Sequence, residues 1–238
     1  MLRRSVKAKL NGSVQLPLDV AGPASAEYGM DIVPAASPPI EESRKRRQVL
    51  DAASDLFMAL GYGAVSMESV ARAAGVSKAT LYAHFASKEV LFASIVREAC
   101  DRNTLAADNF PDEVEDIAAA LSGIGGRVLR FLLQPRTLAI YRVAVAESAR
   151  FPELGRAFWA AGPNAFRERF AAWLAIQSAA GRLRVPDARV AADQFGALLR
   201  ASLFMRATLA LPPAPDEAEI DATVQQAVAM FLRGFGAA

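Results

Sequence analysis

The chain has 238 residues, of which 53% are hydrophobic and 22% charged, enough for a sizeable core and too apolar for a disordered chain. A net charge of only +2 gives no whole-chain signature of a nucleic-acid binder, so any basic signal must be local. The single cysteine, Cys100, excludes an internal disulfide and a cysteine-based zinc cluster and suits a reducing compartment.

The start, "MLRRSVKAKLNGSVQL", is basic without the apolar core of a secretory signal, and no run reaches the roughly 18 apolar residues that cross a bilayer. The expectation is a soluble cytoplasmic protein with no membrane partner. Residues 1–42 hold five of the thirteen prolines among Gly, Ser and Ala and show no period, which predicts a disordered arm. Its Arg3, Arg4, Lys7 and Lys9 can serve as a solvated tail or touch a nucleic-acid backbone.

From Ser43 the texture becomes helical. Val49, Leu50, Ala53, Leu56, Phe57 and Leu60 form one apolar stripe that stops at Gly61. Ser66 caps a second, two-turn helix, with Val65 and Val70 spaced as a hydrophobic staple and Gly75 at its end. Ser77 caps a third, stapled by Val76 and Leu81. Ser87 caps a fourth, whose Val90, Leu91, Ile95 and Val96 point inward until "DNFPDE". Further helices are expected at about 112–133, 136–150, 153–179, 187–210 and 216–234, broken at Pro135, "RFPE", "GRLRVP" and "LPPAP". No alternating strand and no internal repeat is evident. The fold class expected is all-α, with residues 43–89 forming one small domain and 90–238 a larger helical one.

The third helix carries the clearest chemistry. With Leu81 at zero on a helical wheel, Phe85 falls at about 40 degrees, and these two define the buried face. Ala79 and Ala83 lie opposite, flanked by Tyr82 and Thr80. Such a face brings its backbone close to a large partner. The major groove of DNA suits it: alanine methyls meet thymine methyls, while Tyr82 and Thr80 reach phosphates or base edges. Lys78 and Lys88 bracket the surface with charge, and the helix start at Ser87 offers N–H groups to a phosphate. His84, the only histidine, sits at about 300 degrees on the border of the buried face, where it either packs at the helix seam or touches a phosphate. A lone imidazole makes no metal site.

The second helix, the Ala-Gly-Val turn and the third helix together form a helix-turn-helix. From "RRQVLDAASDLFMALGYGAVSMESVARAAGVSKATLYAHFASKEVLFASIV" the chain resembles the DNA-binding domain of the TetR family of bacterial transcriptional regulators, without a gap over roughly fifty residues. That resemblance implies DNA-facing roles for Ser66, Lys78, Thr80, Tyr82, His84 and Lys88. "AESARFPELGRAFWAAGPNAF" and "GRLRVPDARVAADQFGALLR" resemble the family's AefR-like effector domain. The long front extension departs from the family's usual short arm.

The function this implies is a dimeric repressor on an inverted-repeat DNA operator, released by a small apolar or aromatic effector. An effector-independent regulator or activator is the alternative. No paired nucleophile and base, metal set or phosphate loop supports an enzyme or a cofactor, since "GIGG" at 123–126 is interior to a helix. An architectural DNA protein would spread its basic residues evenly and lack a separate aromatic-rich domain.

Two groups of residues complete the reading. Phe195, Leu198, Leu199, Ser202 and Leu203 form one stripe, and Ile220, Val224, Ala227, Val228 and Phe231 another. They pair either with a second copy in a four-helix bundle or with the chain's own core. Trp159, Phe166, Phe170 and Trp173 share a face of a long helix that Pro163 should kink. With Phe131, Tyr141 and Gln177 they line an effector pocket or form a packed core. Cys100 is a small buried residue or a redox sensor; no cation stands beside it in sequence to favour the second.

Overall fold

Caps and staples of the kind read above organise the chain into helices, as a computed structural model shows. It describes residues 40–102, 110–111 and 113–237. The arm expected over residues 1–42 lies outside the described residues up to residue 39, and the first helix, α1, already begins at Ile40. The order is α1 (Ile40–Leu60), α2 (Met67–Ala73), α3 (Lys78–His84), α4 (Lys88–Arg102), α5 (Ile117–Leu133), α6 (Pro135–Glu147), α7 (Pro152–Ala161), α8 (Pro163–Ala179), α9 (Ala188–Thr208) and α10 (Glu217–Phe235). The fold is all-α. Among the described residues no strand forms, only an isolated antiparallel bridge between Leu183 and Gly236. No single described helix is long and apolar enough to cross a membrane.

The N-terminal helices pack around Val49, Leu50, Ala53 and Phe57 of α1, all buried. Phe57, Tyr62 and Phe92 form an aromatic triangle with ring centroids 5.4 to 5.8 Å apart. Leu60 departs from the expected stripe: it is 59% exposed, because α1 ends there and the chain turns away at Gly61. Val90 is also exposed, since α4 begins at Lys88 and turns Leu91, Ile95 and Val96 inward instead.

The region expected as one kinked helix over 153–179 is two helices. Gly162, at φ −118 and ψ −85, is not helical, and Pro163 starts α8 without an N–H to offer back to α7. A glycine is needed there for space as well: a Cβ on Gly162 would lie 2.9 Å from Val96 Cγ1, so α4 approaches the break as closely as it does only because no side chain intervenes. The helix at 187–210 is likewise broken internally, at Ala201, where φ is 22 and ψ is −143. α10 is started by a capping box between Asp216 and Glu219, and Arg206 of α9 donates to both carboxylate oxygens of Glu219 at 2.7 Å.

The core of the C-terminal helices is a run of rings. Phe170 lies 5.2 Å from Phe195, which lies 5.2 Å from Phe231. This corrects the expected dimer stripe. Phe195, Leu199, Leu203, Ile220, Val224, Ala227, Val228 and Phe231 are all buried within the single chain, against α5 and α8, and only Ser202 of that set is exposed, with Leu198 half-buried. The period located the stripes correctly, but their partner is the chain's own core.

A charge on that stripe therefore has nowhere to go. Val228→Arg is expected to cost about 3 kcal/mol or more, the penalty of a buried unpaired charge, and to lower the urea midpoint accordingly. Wild-type stability in this variant would mean that Val228 faces outward.

Candidate nucleic-acid interface and effector cavity

The helix-turn-helix is built by local hydrogen bonds. Ser66 Oγ accepts from Ser69 N at 3.1 Å, and Ser69 Oγ accepts from Ser66 N at 3.1 Å, a reciprocal box at the start of α2. Ser77 Oγ accepts from Thr80 N at 3.0 Å and lies 2.8 Å from Thr80 Oγ1. Val70, Leu81 and Phe85 are buried, so the two helices are locked together through their apolar sides. Ala79, Tyr82 and Ala83 are exposed on the opposite side of α3, as the wheel requires.

The polar residues expected beside that face are placed unevenly. Tyr82 is 42% exposed and open to a partner. The Thr80 hydroxyl is half-buried and engaged with Ser77. Lys78 pairs with Glu68 at 2.5 Å, its ammonium 5.8 Å from the Tyr82 ring centroid. That hydrogen bond raises the Lys78 pKa and lowers that of Glu68. Ser66 is exposed at its cap position. His84 is half-buried beside Phe85, with ring centroids 6.2 Å apart.

Lys88 does something the sequence did not indicate. Its Nζ donates to the carbonyls of Tyr62 at 2.8 Å and Val65 at 3.0 Å and sits 4.1 Å from the Tyr62 ring centroid. Burial lowers its pKa. The ammonium braces the turn between α1 and α2 from beneath, which spends two of its three N–H donors. The Tyr62 phenol donates to Glu89 Oε1 at 2.9 Å. Burial, then Glu89, raises its pKa well above the usual phenol range.

The run Arg44, Lys45, Arg46 and Arg47 adds a basic group beside this surface. It is exposed at the start of α1, and the Arg46 guanidinium lies 5.5 Å from the Phe85 ring, so this basic turn stands beside α3.

The turn at Tyr62 is also held from the C-terminal side. Glu147, the last residue of α6, accepts from Tyr62 N at 2.5 Å and from Gly63 N at 2.7 Å. Phe151 packs its ring against Tyr62 at 5.4 Å. A Cβ on Gly63 would come within 3.0 Å of both Glu147 and Phe151, so the glycine permits the contact. Nothing local in "RVAVAESA" marks Glu147 for this, because its partners are 85 and 84 residues away.

A largely apolar cavity, open to solvent on one side, lies among α4 to α9. Four of the expected residues line it: Phe131, Tyr141, Trp159 and Phe166. Trp159 is half-exposed at 50%. Three do not line it. Phe170 is fully buried against Phe195, Trp173 donates its Nε1–H to the Pro111 carbonyl at 3.0 Å, and Gln177 is buried with its Oε1 accepting from Arg182 Nη1 at 3.1 Å. The stripe runs the length of α8, whereas the cavity reaches only its first turn; beyond it Phe110 and Phe195 close the space. The sequence missed Phe158, Arg167, Asp193, Gly196, Arg200 and Cys100 in the wall. No cluster of metal-ligating side chains occurs among the described residues.

Comparison with known proteins places this geometry. Residues 49–95 match the bacterial regulatory proteins of the TetR family, and residues 119–237 match the AefR-like transcriptional repressor C-terminal domain. The HTH-type transcriptional activator FasR of Mycolicibacterium smegmatis is 40% identical over 62 residues, 26% of this chain and 28% of that protein. The HTH-type transcriptional regulator RutR of Escherichia coli is 39% identical over 59 residues, 25% of this chain and 28% of that protein. Each match thus spans little more than a quarter of the relative's length. Solved structures match over far more. A TetR-family regulator of Mesorhizobium loti superposes with a TM-score of 0.71 at 26% identity, covering 83% of this chain and all of that one. The flavonoid-responsive regulator FrrA superposes with a TM-score of 0.69 at 36% identity, covering 82% and 98%.

Cys100 is buried, and burial first, then Asp101, raises its thiol to about 11 from a usual 9.0. The folded state thus keeps a proton that the unfolded state loses, and stability should fall as pH rises between those values. At pH 8 the native thiol should alkylate with iodoacetamide at least about tenfold more slowly than the urea-unfolded chain, since the thiolate is the reacting form. Equal rates would show an accessible, activated cysteine and restore the redox-sensor reading.

Proposed function

This chain belongs to the TetR family of bacterial transcriptional regulators, with an AefR-like C-terminal domain, and we propose that it is a ligand-responsive repressor that binds an inverted-repeat operator as a dimer. The observation that carries the DNA reading is the outward face of α3: two alanines bordered by Tyr82, on a helix whose other side is locked into a core. Such a helix enters the major groove without distorting its own support. Arg44, Arg46 and Arg47 add backbone contacts beside it, and Ser66, Lys78, Thr80 and His84 border the same surface. Lys88 acts as a brace that positions the α1–α2 turn, with one remaining N–H for a phosphate.

Dimerisation uses the outer faces of the last two helices, since their inner stripes are already spent. Val190, Gln194, Ala197 and Ala201 on α9 and Ala222, Gln226, Ala229 and Met230 on α10 are exposed. Small residues at these positions let two copies approach closely enough for a four-helix bundle in which the same patch meets itself. The cavity takes the effector. That FrrA, similar over most of both chains, is described as flavonoid-responsive supports a small-molecule input. FasR is named an activator, which favours activation as the second reading for the output alone.

Footprinting on the DNA upstream of the chain's own coding region tests the proposal. Two protected half-sites about one helical turn or a multiple apart are expected. Tyr82→Ala should weaken operator binding by roughly tenfold while changing affinity for random DNA far less. No protected site, or an equal loss on both DNAs, would contradict base reading by α3.

A further inference from the structure

The cavity is apolar in depth and unbalanced in charge. Its wall contains Arg167, Arg200 and a single acidic residue, Asp193. Arg167 is compensated, its Nε 3.0 Å from Asp193 Oδ1 and its Nη1 3.4 Å from Glu168 Oε1. Arg200 is not. Its Nε donates to the Gly196 carbonyl at 3.0 Å, and among the described residues no carboxylate pairs with its two terminal nitrogens. The start of α8 adds to the same sign. Gly162 and Pro163 line the cavity, the Gly162 cap supplies no side-chain hydrogen bond, and the first turn of α8 holds no acidic residue. The positive end of that helix is therefore left without a compensating side chain at the cavity.

Each class of ligand meets this wall differently. A cation would have to compete with Arg167 for Asp193. A neutral ligand seated over Arg200 would strip water from the guanidinium and return no acceptor of comparable strength. A carboxylate returns a charge-assisted and potentially bidentate pair, the geometry that guanidinium favours. Arg200 is exposed, so it meets a head group at the mouth rather than in the depth.

Resting on the cavity as the effector site, we infer that the effector is an amphipathic carboxylate, an aromatic or acyl body seated among Phe131, Ile140, Phe158 and Phe166 with its head group on Arg200. Arg200 is thus the specificity residue that separates acids from their neutral analogues. Arginine is common in this chain, so it is the missing partner and the position at the cavity that single this one out.

Calorimetric titration of the full-length protein with 2-naphthoate and decanoate, and with the uncharged isosteres 2-naphthamide and decanamide, tests the inference. At least one acid should bind about tenfold or more tightly than its amide, and Arg200→Gln should abolish the difference. Gly196→Leu should block binding of acid and amide alike: Gly196 lines the cavity, and a Cβ there meets only Arg200 Nη2, at 3.7 Å, so the added side chain projects beside the guanidinium into the space the ligand needs. An amide that binds as tightly as its acid, while Gly196→Leu still blocks both, would overturn the acid preference and leave the cavity reading intact. A preference that survives Arg200→Gln would overturn the role of Arg200. Binding by none of the four, or binding indifferent to Gly196→Leu, would overturn the cavity reading and this inference with it.

Discussion

A carboxylate of the C-terminal helices clamps the turn that leads into the DNA-reading helices. Glu147 ends α6 and accepts two backbone N–H groups, from Tyr62 and Gly63, in the turn that leads into the helix-turn-helix. Hydrogen bonds to a charged group are each worth about 1.5–3 kcal/mol, and less where water competes, as at exposed Gly63. Other contacts hold the same turn: Gly61 sits at φ 81, Tyr62 is buried among Phe57, Phe92 and Phe151 with its phenol on Glu89, and Lys88 gathers the Tyr62 and Val65 carbonyls from below. Two N–H groups of the turn are thus tied to α6, and two of its carbonyls to the start of α4. Where those two helices go, the reading helices follow.

Both helices also form walls of the cavity. α6 lines it with Thr137, Ile140 and Tyr141 near its start and carries Glu147, away from the cavity, at its end; α4 lines it with Val96, Ala99 and Cys100 and carries Lys88, likewise away from it, at its start. A ligand that displaces either wall by a fraction of an ångström moves a rigid rod whose far end holds the turn, since packed helices shift as bodies rather than deform. Val96 of α4 stands where a side chain on Gly162 would be, so α4 packs directly on the break between α7 and α8. In the proposed repressor the effector must favour the arrangement that does not fit the operator, for a ligand with equal affinity for both arrangements shifts nothing.

What the sequence revealed follows from the range of each interaction. The helix-turn-helix was legible because its determinants are local: Ser66, Ser77, two staples and Gly75 lie within a few residues of the helices they start and stop. The inward face of α3 was legible because Leu81 and Phe85 alone satisfy its period. The burying partner of a stripe was not legible. Leu199 and Val228 show the same spacing whether they meet their own chain or another copy. The exposed alanines at 197, 222 and 229, on the proposed dimer face, have too little hydrophobic contrast to stand out in the sequence. The aromatic stripe of α8 was read correctly as one face, but the depth of the cavity depends on Phe110 and Phe195, which arrive from elsewhere. Glu147, Lys88 and Arg200 owe their roles to partners, or to the lack of one, that only the tertiary structure defines.

The Glu147 clamp sets the orientation of the reading helices, and the separation of the two heads in the proposed dimer reports it. A spin label on Ala83→Cys gives one distance between protomers by pulsed electron resonance, since buried Cys100 stays unlabelled. A narrow distance distribution is expected with Glu147 intact and a clearly broadened or shifted one in Glu147→Ala, with helix content unchanged. An identical narrow distribution in both proteins would contradict it.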